Sequence, residues 1–548
     1  MEFSSFAALL PSPFLLAALV LILVFSCLTV SSTKRPPPSS GDGGRRLPLP
    51  PSPPGFPVLG HLQLLGSLPH RKLRSLAEAH GPVMLLRFGR VPTVVASSAA
   101  AAEEVMKTRD LAYASRPRVR MAERLIYGRD MVFAPYGEFW RQARRVAVLH
   151  LLSPRRVLSF RGVREQGVAA LLDGVRRHAG GAVNLSNLFM SYANGVISRV
   201  ALGDAGYRLE KLRELFVDFE ELLGTTTVGE CVPWLAWVDK LTGLDARAAR
   251  TSAAMDAWLE RVIADHRERR RRSRRRGQSV GDGEADGEHR DFVDVMLDVS
   301  EAEEDGGAGE VVFDTVAIKA IILDMIAAGT DSTFTVTEWV MAELISHPPV
   351  MRKLQDEIRG AAAGASGGAS TVRVTEDHLD KLRFLKAVIK ETLRLHAPAP
   401  LLLPRETTRD TELLGYRVPA RTRVVVNAWA IGRDKAAWGE RAEEFVPERW
   451  FADGGGSGGA ETVEYAASQL GQDFKFVPFG AGRRGCPGVG YAVPSIEMAL
   501  ANLLYHFDWE IAPSADGTVP LRMDMSELHG LSVRLKADLN LVAKPWSP

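Results

Sequence analysis

Cysteine is scarce in this chain of 548 residues. Its three cysteines, Cys27, Cys231 and Cys486, are odd in number and far apart in sequence. Such a set is a poor framework for disulfides, and it lacks the clustered ligands that a zinc site needs. The shortage of cysteine therefore argues against a disulfide-stapled secreted protein and favours a reducing compartment.

Net charge is also small. The 68 basic and 66 acidic side chains leave +2 at neutral pH, so no global field indicates nucleic acid as a partner. The one strongly basic run, residues 267–276, is followed at once by an acidic segment, residues 282–288. This pairing is typical of a solvated helix end and loop, with contact to a lipid surface as the alternative.

A long apolar run lies near the N-terminus. Residues 14–30 carry no charge and would span ~26 Å as a helix, close to the thickness of a bilayer core. Basic residues follow the run and Glu2 precedes it, so the positive-inside rule predicts a single-pass anchor over residues 1–33 and a cytosolic body. A cleaved secretory signal is the alternative, and the lack of a basic segment before the run argues against it.

The rest of the chain divides into a hinge and one large domain. Residues 34–57 are basic and rich in proline, which predicts a semi-rigid spacer, with a disordered linker as the alternative. No convincing boundary follows, so residues 58–548 are predicted to form a single domain. Two apolar runs flanking Gly89-Arg90 predict a β-hairpin, and residues 412–428 look strand-like. Helical periodicity predicts the remainder to be mainly α, notably at 159–178, 208–224, 252–272, 311–346 and 378–396.

The most informative segment is residues 479–488, where one cysteine lies behind a glycine-rich turn and ahead of an amphipathic stretch. Backbone N–H groups and a helix N-terminus can stabilise a thiolate there, which suits a haem ligand. A buried structural cysteine is the alternative. No Cys-x-x-Cys-His pattern for covalent haem attachment is present. The segment resembles the haem-binding signature of the cytochrome P450 family, whose fixed positions correspond to Phe479, Gly482, Arg484, Cys486 and Gly488.

The apolar segment 311–346 contains an acid and two hydroxyls beside a glycine in mid-helix, namely Asp331, Ser332 and Thr333. Such residues weaken a helix, and their hydroxyls can bond to carbonyls freed by a local kink. The resemblance implies that this is the oxygen-binding helix, crossing the haem opposite Cys486, and it assigns the three residues to catalysis, with Asp331 and Ser332 in proton delivery. Serine replaces the family's usual threonine at 332, so proton delivery is expected to be less tightly ordered. Helix packing with back-bonded hydroxyls is the alternative.

A charged pair, Glu391 and Arg394, lies on one face of a later predicted helix. Its spacing also occurs elsewhere in the chain, so the order of motifs is what distinguishes it: a Pro-Glu-Arg-Trp segment containing Arg449 and then the cysteine loop follow. The resemblance implies that Glu391, Arg394 and Arg449 form a structural charge network. Loss of one partner would leave a buried charge unpaired.

The two propionates of a haem need cationic or hydrogen-bonding partners. Trp140 and Arg144 share a helix face and match the family's propionate-binding pair, and Arg405 and Arg484 are the other candidates by motif position. Amphipathic packing is the alternative for Trp140 and Arg144. Substrate contacts are implied at residues 116–130, 231–237, the helix near Ala328 and 397–403. The last of these is almost entirely apolar, which indicates a lipophilic substrate, whereas Trp234 and Trp237 could belong to the core or to a lipid interface.

Taken over nearly the whole chain, the motifs are most similar to the plant microsomal A-type group of this family. The resemblance implies a membrane-anchored cytochrome P450 fold holding haem b, on the cytosolic side of the endoplasmic reticulum. It also implies insertion of one atom of O2 into a lipophilic small molecule in plant specialised or hormone metabolism. No dinucleotide-binding fingerprint follows a predicted strand, so electrons from NADPH are expected from a separate NADPH–cytochrome P450 reductase, with cytochrome b5 as a second candidate donor. Haem-thiolate isomerases or dehydratases, which need no reductase, and a non-catalytic haem sensor are the alternatives.

Overall fold

The computed structural model describes residues 47–178, 180–203, 209–275, 290–304, 313–362, 374–451, 473–513 and 517–547. The predicted anchor and the first part of the hinge, residues 34–46, lie outside these ranges. Within them, no helix combines the length and the apolar character needed to cross a membrane.

Helices dominate the described residues, as the periodicity predicts. The longer ones are α1 Pro69–His80, α2 Glu138–Val146, α3 Arg161–Arg176, α4 Leu185–Leu202, α5 Leu209–Leu223, α6 Leu244–Arg275, α7 Phe292–Glu304, α8 Thr315–Ser346, α9 Pro348–Ala362, α10 Arg383–Leu395 and α11 Val489–His506. Shorter helices cover Ala99–Glu103, Arg120–Leu125, Pro154–Ser159, Val228–Cys231, Ala236–Leu241, Glu376–Leu379, Ala428–Ile431 and Lys435–Trp438.

The β part is small and lies mostly at the two ends of the described chain. Its strands are β1 Val83–Phe88, β2 Val91–Ala96, β3 Ala182–Asn184, β4 Arg405–Glu406, β5 Thr411–Leu413, β6 Tyr416–Val418, β7 Arg423–Val426, β8 Phe507–Ile511, β9 Glu527–His529, β10 Val533–Leu535 and β11 Asn540–Pro545. One sheet has the order β1-β2-β7-β4, a second has β3-β11-β8, and β5-β6 and β9-β10 form hairpins. The predicted hairpin is confirmed, with Phe88 opposite Val91 across its turn.

Helix α8 runs through the centre of the molecule. It has apolar residues on every side, so neighbouring helices cover it almost completely, as expected for a helix without a polar face. It packs against α4, α10 and α11 and against strand β10. The core therefore surrounds the helix that carries Asp331 and Ser332.

The described end of the proline-rich segment is bonded to the β part. The carbonyl oxygen of Pro48 accepts from the N–H of Arg417, and that of Pro51 accepts from the N–H of Leu85, both at 2.8 Å. Nε2 of His61 lies 2.9 Å from the carbonyl oxygen of Pro53. These bonds fix the chain direction at the entry to the domain.

The basic run on α6 continues the helix to Arg275, and part of it is paired with acids of α7. Arg270 contacts Asp298 at 2.6 Å and Glu301 at 3.1 Å. Arg274 contacts Glu301 at 2.6 Å. The described part of the run therefore joins two helices as well as facing solvent.

A buried histidine, His266, joins the same two helices. Its Nδ1 lies 2.7 Å from the carbonyl oxygen of Val262 and its Nε2 lies 2.8 Å from Oδ2 of Asp291. Because both neighbours are acceptors, both ring nitrogens must carry protons. Burial lowers the pKa of His266, but the hydrogen bond and charge of Asp291 outweigh burial and raise it. His266, Asp291 and Asp294 lie close enough together to hold a metal ion. However, both nitrogens of the His266 ring are occupied by these hydrogen bonds, so neither can bind a metal.

We expect the stability that His266 contributes to be lost with rising pH. A histidine whose pKa is raised by folding stabilises the folded state fully below its unfolded value, about 6.5, and this contribution disappears as pH rises through the folded pKa. The Tm of the wild type should therefore exceed that of His266→Gln at pH 6, and the gap should narrow towards about pH 9. His178→Gln, at an exposed histidine, is the control. A gap that does not change with pH would contradict the imidazolium assignment.

Candidate active site

The cysteine loop is shaped by a turn that only glycine can make. Gly482 has φ +66°, and a Cβ there would lie 2.0 Å from the carbonyl oxygen of Met106, so any side chain would clash with backbone. The N–H of Cys486 donates to the carbonyl oxygen of Phe479 at 2.9 Å. Helix α11 begins at Val489, directly after Gly488. Phe479, Gly482 and Gly488 thus fix the position of the cysteine at the N-terminus of α11.

The thiol of Cys486 is enclosed by protein but remains accessible. Cys231 is packed in the core, whereas Cys486 is exposed although its surroundings are desolvated, so it faces an internal space. Burial raises the pKa of the Cys486 thiol, while the N–H of Gly488 and the charge of Arg144 act to lower it. An accessible thiol is what an axial metal ligand requires, and a purely structural cysteine would be covered by its neighbours.

Trp140, Arg144 and Arg484 come together beside this loop. Nη2 of Arg144 donates to the carbonyl oxygen of Gly485 at 2.6 Å. The guanidinium of Arg484 lies 4.1 Å from the centre of the Trp140 ring. Nε1 of Trp140 donates to the carbonyl oxygen of Met131 at 3.0 Å. Helix α2 therefore presents the predicted Trp/Arg pair to the cysteine loop.

Arg405, also predicted, is buried against the same loop. Its Nη2 donates to the carbonyl oxygen of Ala481 at 3.0 Å, and its Nη1 is buried without a partner among the described residues. Burial lowers the pKa of Arg405 to about 10 and, helped by the charge of Arg405, that of Arg484 to about 9. These shifts show cations held where they need an anion.

Arg116 adds a further buried cation, which the motifs assigned only to a substrate loop. Its Nη1 donates to the carbonyl oxygens of Leu403 at 2.6 Å and Pro404 at 2.8 Å. Burial and the charges of Arg405 and Arg484 lower the pKa of Arg116. It therefore anchors the apolar segment 397–403 to a cationic cluster made of Arg116, Arg144, Arg405 and Arg484.

The cluster has more positive than negative charge. Asp130 is the acid beside Arg116 and Arg484, and burial raises its pKa to about 6 although Phe133 and Ala134 donate N–H groups to it and both arginines attract it. Asp130 offsets only part of the charge of Arg116 and Arg484, and Arg405 and Arg144 add two more cations near Arg484. Two propionates would offset much of this positive charge, and Nη1 of Arg405 has no hydrogen-bond partner among the described residues. The residues present fit a haem, with Cys486 for its iron and the arginines for its propionates.

Asp324 on α8 was not identified from the sequence. Its Oδ2 accepts the N–H of Met131 at 2.6 Å and that of Val132 at 3.2 Å. Burial raises its pKa and the charge of Asp130 raises it further. The Asp324 carboxyl thus fixes the loop whose Met131 carbonyl oxygen accepts the ring N–H of Trp140. Through this loop it stabilises the position of Trp140 beside Arg484.

Helix α8 has an open patch in mid-helix, within an otherwise covered stretch. Ala328 is exposed and Gly329 and Ser332 are partly exposed. The helix is continuous through this point. The hydroxyl of Ser332 donates to the carbonyl oxygen of Ala328 at 2.7 Å. This is the back-bonding that the sequence left open as the alternative to a catalytic role. A Cβ on Gly329 would lie 2.8 Å from Ile197, so glycine permits the close approach of α4. Thr333 Oγ1 is buried without a described partner.

Asp331 is buried on the side of α8 that meets the C-terminal hairpin. Ser532 and Arg534, from the β9–β10 hairpin, lie near its carboxyl. Burial raises the pKa of Asp331, while Ser532 and Arg534 act to lower it. Asp331 and Ser332 thus sit next to each other in sequence but in different surroundings, one buried and one open.

Glu391, Arg394 and Arg449 form the predicted charge network. Glu391 and Arg394 are fully buried, and Nη2 of Arg394 lies 2.8 Å from Oε1 of Glu391. Nε of Arg449 lies 2.8 Å from the same oxygen. Trp450 Nε1 donates to the other oxygen at 3.0 Å. Arg394 also donates to the carbonyl oxygens of Gly432, Ala442 and Glu444. The network ties α10 to the segment that leads towards the cysteine loop.

The two tryptophans left open by the sequence are at the surface. Trp234 is 44% exposed and Trp237 is 52% exposed. The guanidinium of Arg90 lies 4.6 Å from the centre of the Trp234 ring. Neither belongs to the core.

An accessible thiol, a cationic cluster and a buried helix with an open patch are the features expected of a haem-thiolate site. The family model Cytochrome P450 matches residues 50–532, and the chain belongs to this family, whose members are monooxygenases. Cytochrome P450 71A1 of Persea americana is 45% identical over 492 residues, covering 88% of this chain and 91% of the relative. Cytochrome P450 736A117 of Prunus mume is 41% identical and covers 99% of this chain and 97% of the relative.

Two further comparisons extend this picture. Norfluorocurarine oxidase of a Strychnos species is 41% identical and covers 90% of this chain and 93% of the relative. A zebra fish cytochrome P450 solved with abiraterone aligns with TM-score 0.67 at 22% identity, over 88% of this chain and all of the other. The structural match confirms the cytochrome P450 fold, mainly α with a small β part.

Proposed function

We propose that this protein is a haem-thiolate monooxygenase that inserts one atom of O2 into a lipophilic small molecule. The observation that carries the proposal is the accessible thiol of Cys486 close to a group of arginines, of which Arg116, Arg405 and Arg484 are buried and Arg144 is half-buried. Incubation with reductase, NADPH, isotopically labelled O2 and a panel of lipophilic substrates tests it. One labelled oxygen per product molecule is expected, and product that forms equally well without reductase would favour the isomerase or dehydratase alternative.

The chain's own residues would hold haem b as follows. Cys486 would bind the iron as a thiolate, and Trp140, Arg144, Arg405 and Arg484 would hold the propionates. When bound, the haem supplies the activation of O2 and the transfer of oxygen. Phe479, Gly482 and Gly488 keep the loop in place.

Proton delivery is the role we assign to α8. Ser332 presents a hydroxyl at the open patch, and the preceding residue, Asp331, is buried and has a raised pKa. A raised pKa favours the protonated form of a carboxyl, which is the form from which a general acid donates. Thr333 continues the hydroxyl pattern, and its Oγ1 has no hydrogen-bond partner among the described residues.

Ser332→Ala is expected to uncouple NADPH use from product formation. The hydroxyl is lost but the helix keeps its backbone bonds, so the fold and haem binding should survive. Loss of one proton-relay group costs about 10²-fold in a general acid–base step, so peroxide released per NADPH should rise sharply. Ser346→Ala, a back-bonded serine at the end of the same helix, is the control. Unchanged coupling would remove Ser332 from the relay.

The apolar segment 397–403, which Arg116 anchors at the carbonyl oxygen of Leu403, supports a lipophilic substrate. Residues 397–403 are apolar, and the N–H of Trp429 also fixes the Pro400 carbonyl at 3.1 Å. One relative is named as norfluorocurarine oxidase. We infer for this chain a lipophilic small molecule of plant specialised or hormone metabolism.

Electrons are proposed to come from NADPH through a separate reductase, with cytochrome b5 as a second donor. Residues 1–33 are proposed to anchor the protein in the endoplasmic reticulum membrane, in contact with lipid, with residues 58–548 as the cytosolic catalytic domain. The apolar, uncharged run and the basic residues after it support this placement.

A further inference from the structure

Strand β10 connects helix α8 to the apolar segment 397–403, which is one of the implied substrate contacts. The N–H of Val533, on β10, donates to the carbonyl oxygen of Pro398 at 2.8 Å. The carbonyl oxygen of Val533 accepts the indole N–H of Trp339, on α8, at 3.0 Å. The segment itself is neither helix nor strand, so its position depends on such bonds to the elements around it.

Trp339 also contacts the residue just before the segment. Its side chain is fully buried, and its ring stacks on that of His396, with 3.9 Å between the ring centres and 10° between the planes. His396 precedes Ala397, and its Nε2 lies 2.6 Å from Oε1 of Glu343, another residue of α8. Trp339 therefore fixes the segment by two routes, through Val533 and through His396.

Glu338, the residue before Trp339, holds the same strand. It is 1% exposed, and its Oε2 accepts the N–H of Leu535 at 3.1 Å. Its Oε1 accepts the hydroxyl of Ser186, on α4, at 2.5 Å, and the Ser186 oxygen accepts the N–H of Leu539 at 2.8 Å. Glu338 and Trp339 together form a clamp, the α8 clamp, that ties β10 to the central helix.

The clamp and the open patch belong to one continuous helix. Trp339 follows Ser332 by seven residues, which is about two helical turns. The N–H of Trp429 and Nη1 of Arg116 hold the segment further along, but both belong to other parts of the chain. The clamp therefore sets where the segment begins relative to the open patch.

We propose that the α8 clamp is a specificity determinant, because it sets the gap between segment 397–403 and the open patch and so decides which lipophilic substrates are held there. Glu338 and Trp339 act through β10 and His396 and are positioning residues, not catalytic ones. When the clamp is broken the segment can move, and a bulky ligand must order it again on binding, which costs affinity. A ligand too small to reach the segment loses nothing. The inference rests on the monooxygenase function proposed above.

Trp339→Phe tests the clamp with little loss of packing. Phenylalanine keeps an aromatic ring over His396 but has no N–H for Val533. Trp509→Phe is the matched control, because Trp509 is also buried and its Nε1 donates to a backbone carbonyl oxygen, that of Leu503, at 3.3 Å. That bond joins β8 to α11 and leaves the α8 clamp intact.

Two substitutions of Glu338 separate the effect of its hydrogen bonds from that of its volume. Glu338→Leu fills a similar space without any polar atom, so both bonds are lost. Glu338→Gln keeps an oxygen for the N–H of Leu535 and an N–H for the oxygen of Ser186, so it should preserve the clamp.

Glutamine is the right substitute only where Glu338 itself is neutral. Burial raises the pKa of Glu338 to about 7. The pKa is lowered by Ser186, the N–H of Leu535 and Arg534, and raised further by Asp538. A carboxyl whose pKa is raised by folding stabilises the fold below its unfolded pKa, about 4.3, and this contribution is lost as pH rises through the folded value. Glu338→Gln should therefore match the wild type below about pH 7 and hold β10 more firmly than the wild type above it.

The first measurement is ligand affinity, read from the shift of the haem Soret band at a pH where Glu338 is neutral. The probes are clotrimazole, a bulky lipophilic imidazole, and imidazole itself, since both bind iron through the same kind of ring nitrogen. The Kd of clotrimazole relative to that of imidazole should rise about tenfold in Trp339→Phe and Glu338→Leu. The ratio should stay at the wild-type value in Glu338→Gln and Trp509→Phe. A clamp that only stabilises the fold would lower Tm without moving the ratio, so a wild-type ratio in Trp339→Phe and Glu338→Leu would overturn the proposal.

The second measurement needs no haem. Amide hydrogen exchange in residues 397–403 of the full chain should be about tenfold faster in Trp339→Phe than in the wild type, and unchanged in Trp509→Phe. Faster exchange confined to residues 533–539 would overturn the proposal, because the clamp would then hold β10 but not the segment. If the wild type shows neither azole binding nor reductase-dependent turnover, the monooxygenase function fails, while the exchange data still decide whether the clamp holds the segment.

Discussion

Replacement of Cys486 by alanine is expected to abolish thiolate ligation of haem completely. Among the described residues the loop has no second thiol, since the other described cysteine, Cys231, is buried elsewhere in the fold. The cationic cluster remains in the variant, so some haem can still associate without its axial ligand. The reduced carbon monoxide spectrum should lose its red-shifted Soret band, and reductase-dependent product formation should fall to background.

Cys231→Ala is the matched control for this experiment. It removes a thiol of the same size at a position 5% exposed, and its cost is limited to packing, on the order of 1 kcal/mol. Its spectrum should match the wild type. A red-shifted band that persists in Cys486→Ala would refute the ligand assignment.

Glu391→Gln is expected to cost about 3–5 kcal/mol of folding stability, because it leaves Arg394 as a buried cation without its counter-charge. Arg394 and Glu391 are both fully buried, so water cannot compensate. A loss of this size is a large part of the stability of a typical domain. The yield of folded, haem-containing protein and its Tm should both fall strongly.

Glu448→Gln provides the comparison. Glu448 pairs with Lys353 at 2.7 Å, but both side chains are solvent-accessible, so the loss should be at most about 1 kcal/mol. Equal, small losses in the two variants would contradict a structural role for the Glu391 network.

The parts of this site that follow from sequence are those carried by short, ordered motifs. Gly482 and Cys486 belong to one turn, and a turn's requirement for glycine is visible locally. The spacing of Glu391 and Arg394 alone was uninformative, because it recurs elsewhere in the chain. The order of the segments after it identified the pair, and in the structure both side chains are buried. The long helices and the β1–β2 hairpin were likewise readable from their periodicity.

The remaining parts depend on contacts between distant segments. Asp324 holds a loop almost 200 residues earlier in the chain, and nothing around Asp324 in sequence indicates that partner. Glu220 and Glu221 are adjacent acids of α5, yet the first is buried and the second pairs with Arg247 at the surface. Burial and pairing of charges are tertiary properties, which periodicity does not report.

The central claim, that Cys486 binds haem as a thiolate in a reductase-dependent monooxygenase, is tested most directly by the reduced carbon monoxide difference spectrum of the membrane-expressed full chain. NADPH consumption with added reductase is then measured in the same preparation. We predict a red-shifted Soret band and NADPH consumption that requires the reductase. Well-folded, haem-replete protein without that band would contradict the assignment of Cys486 and the account built on it.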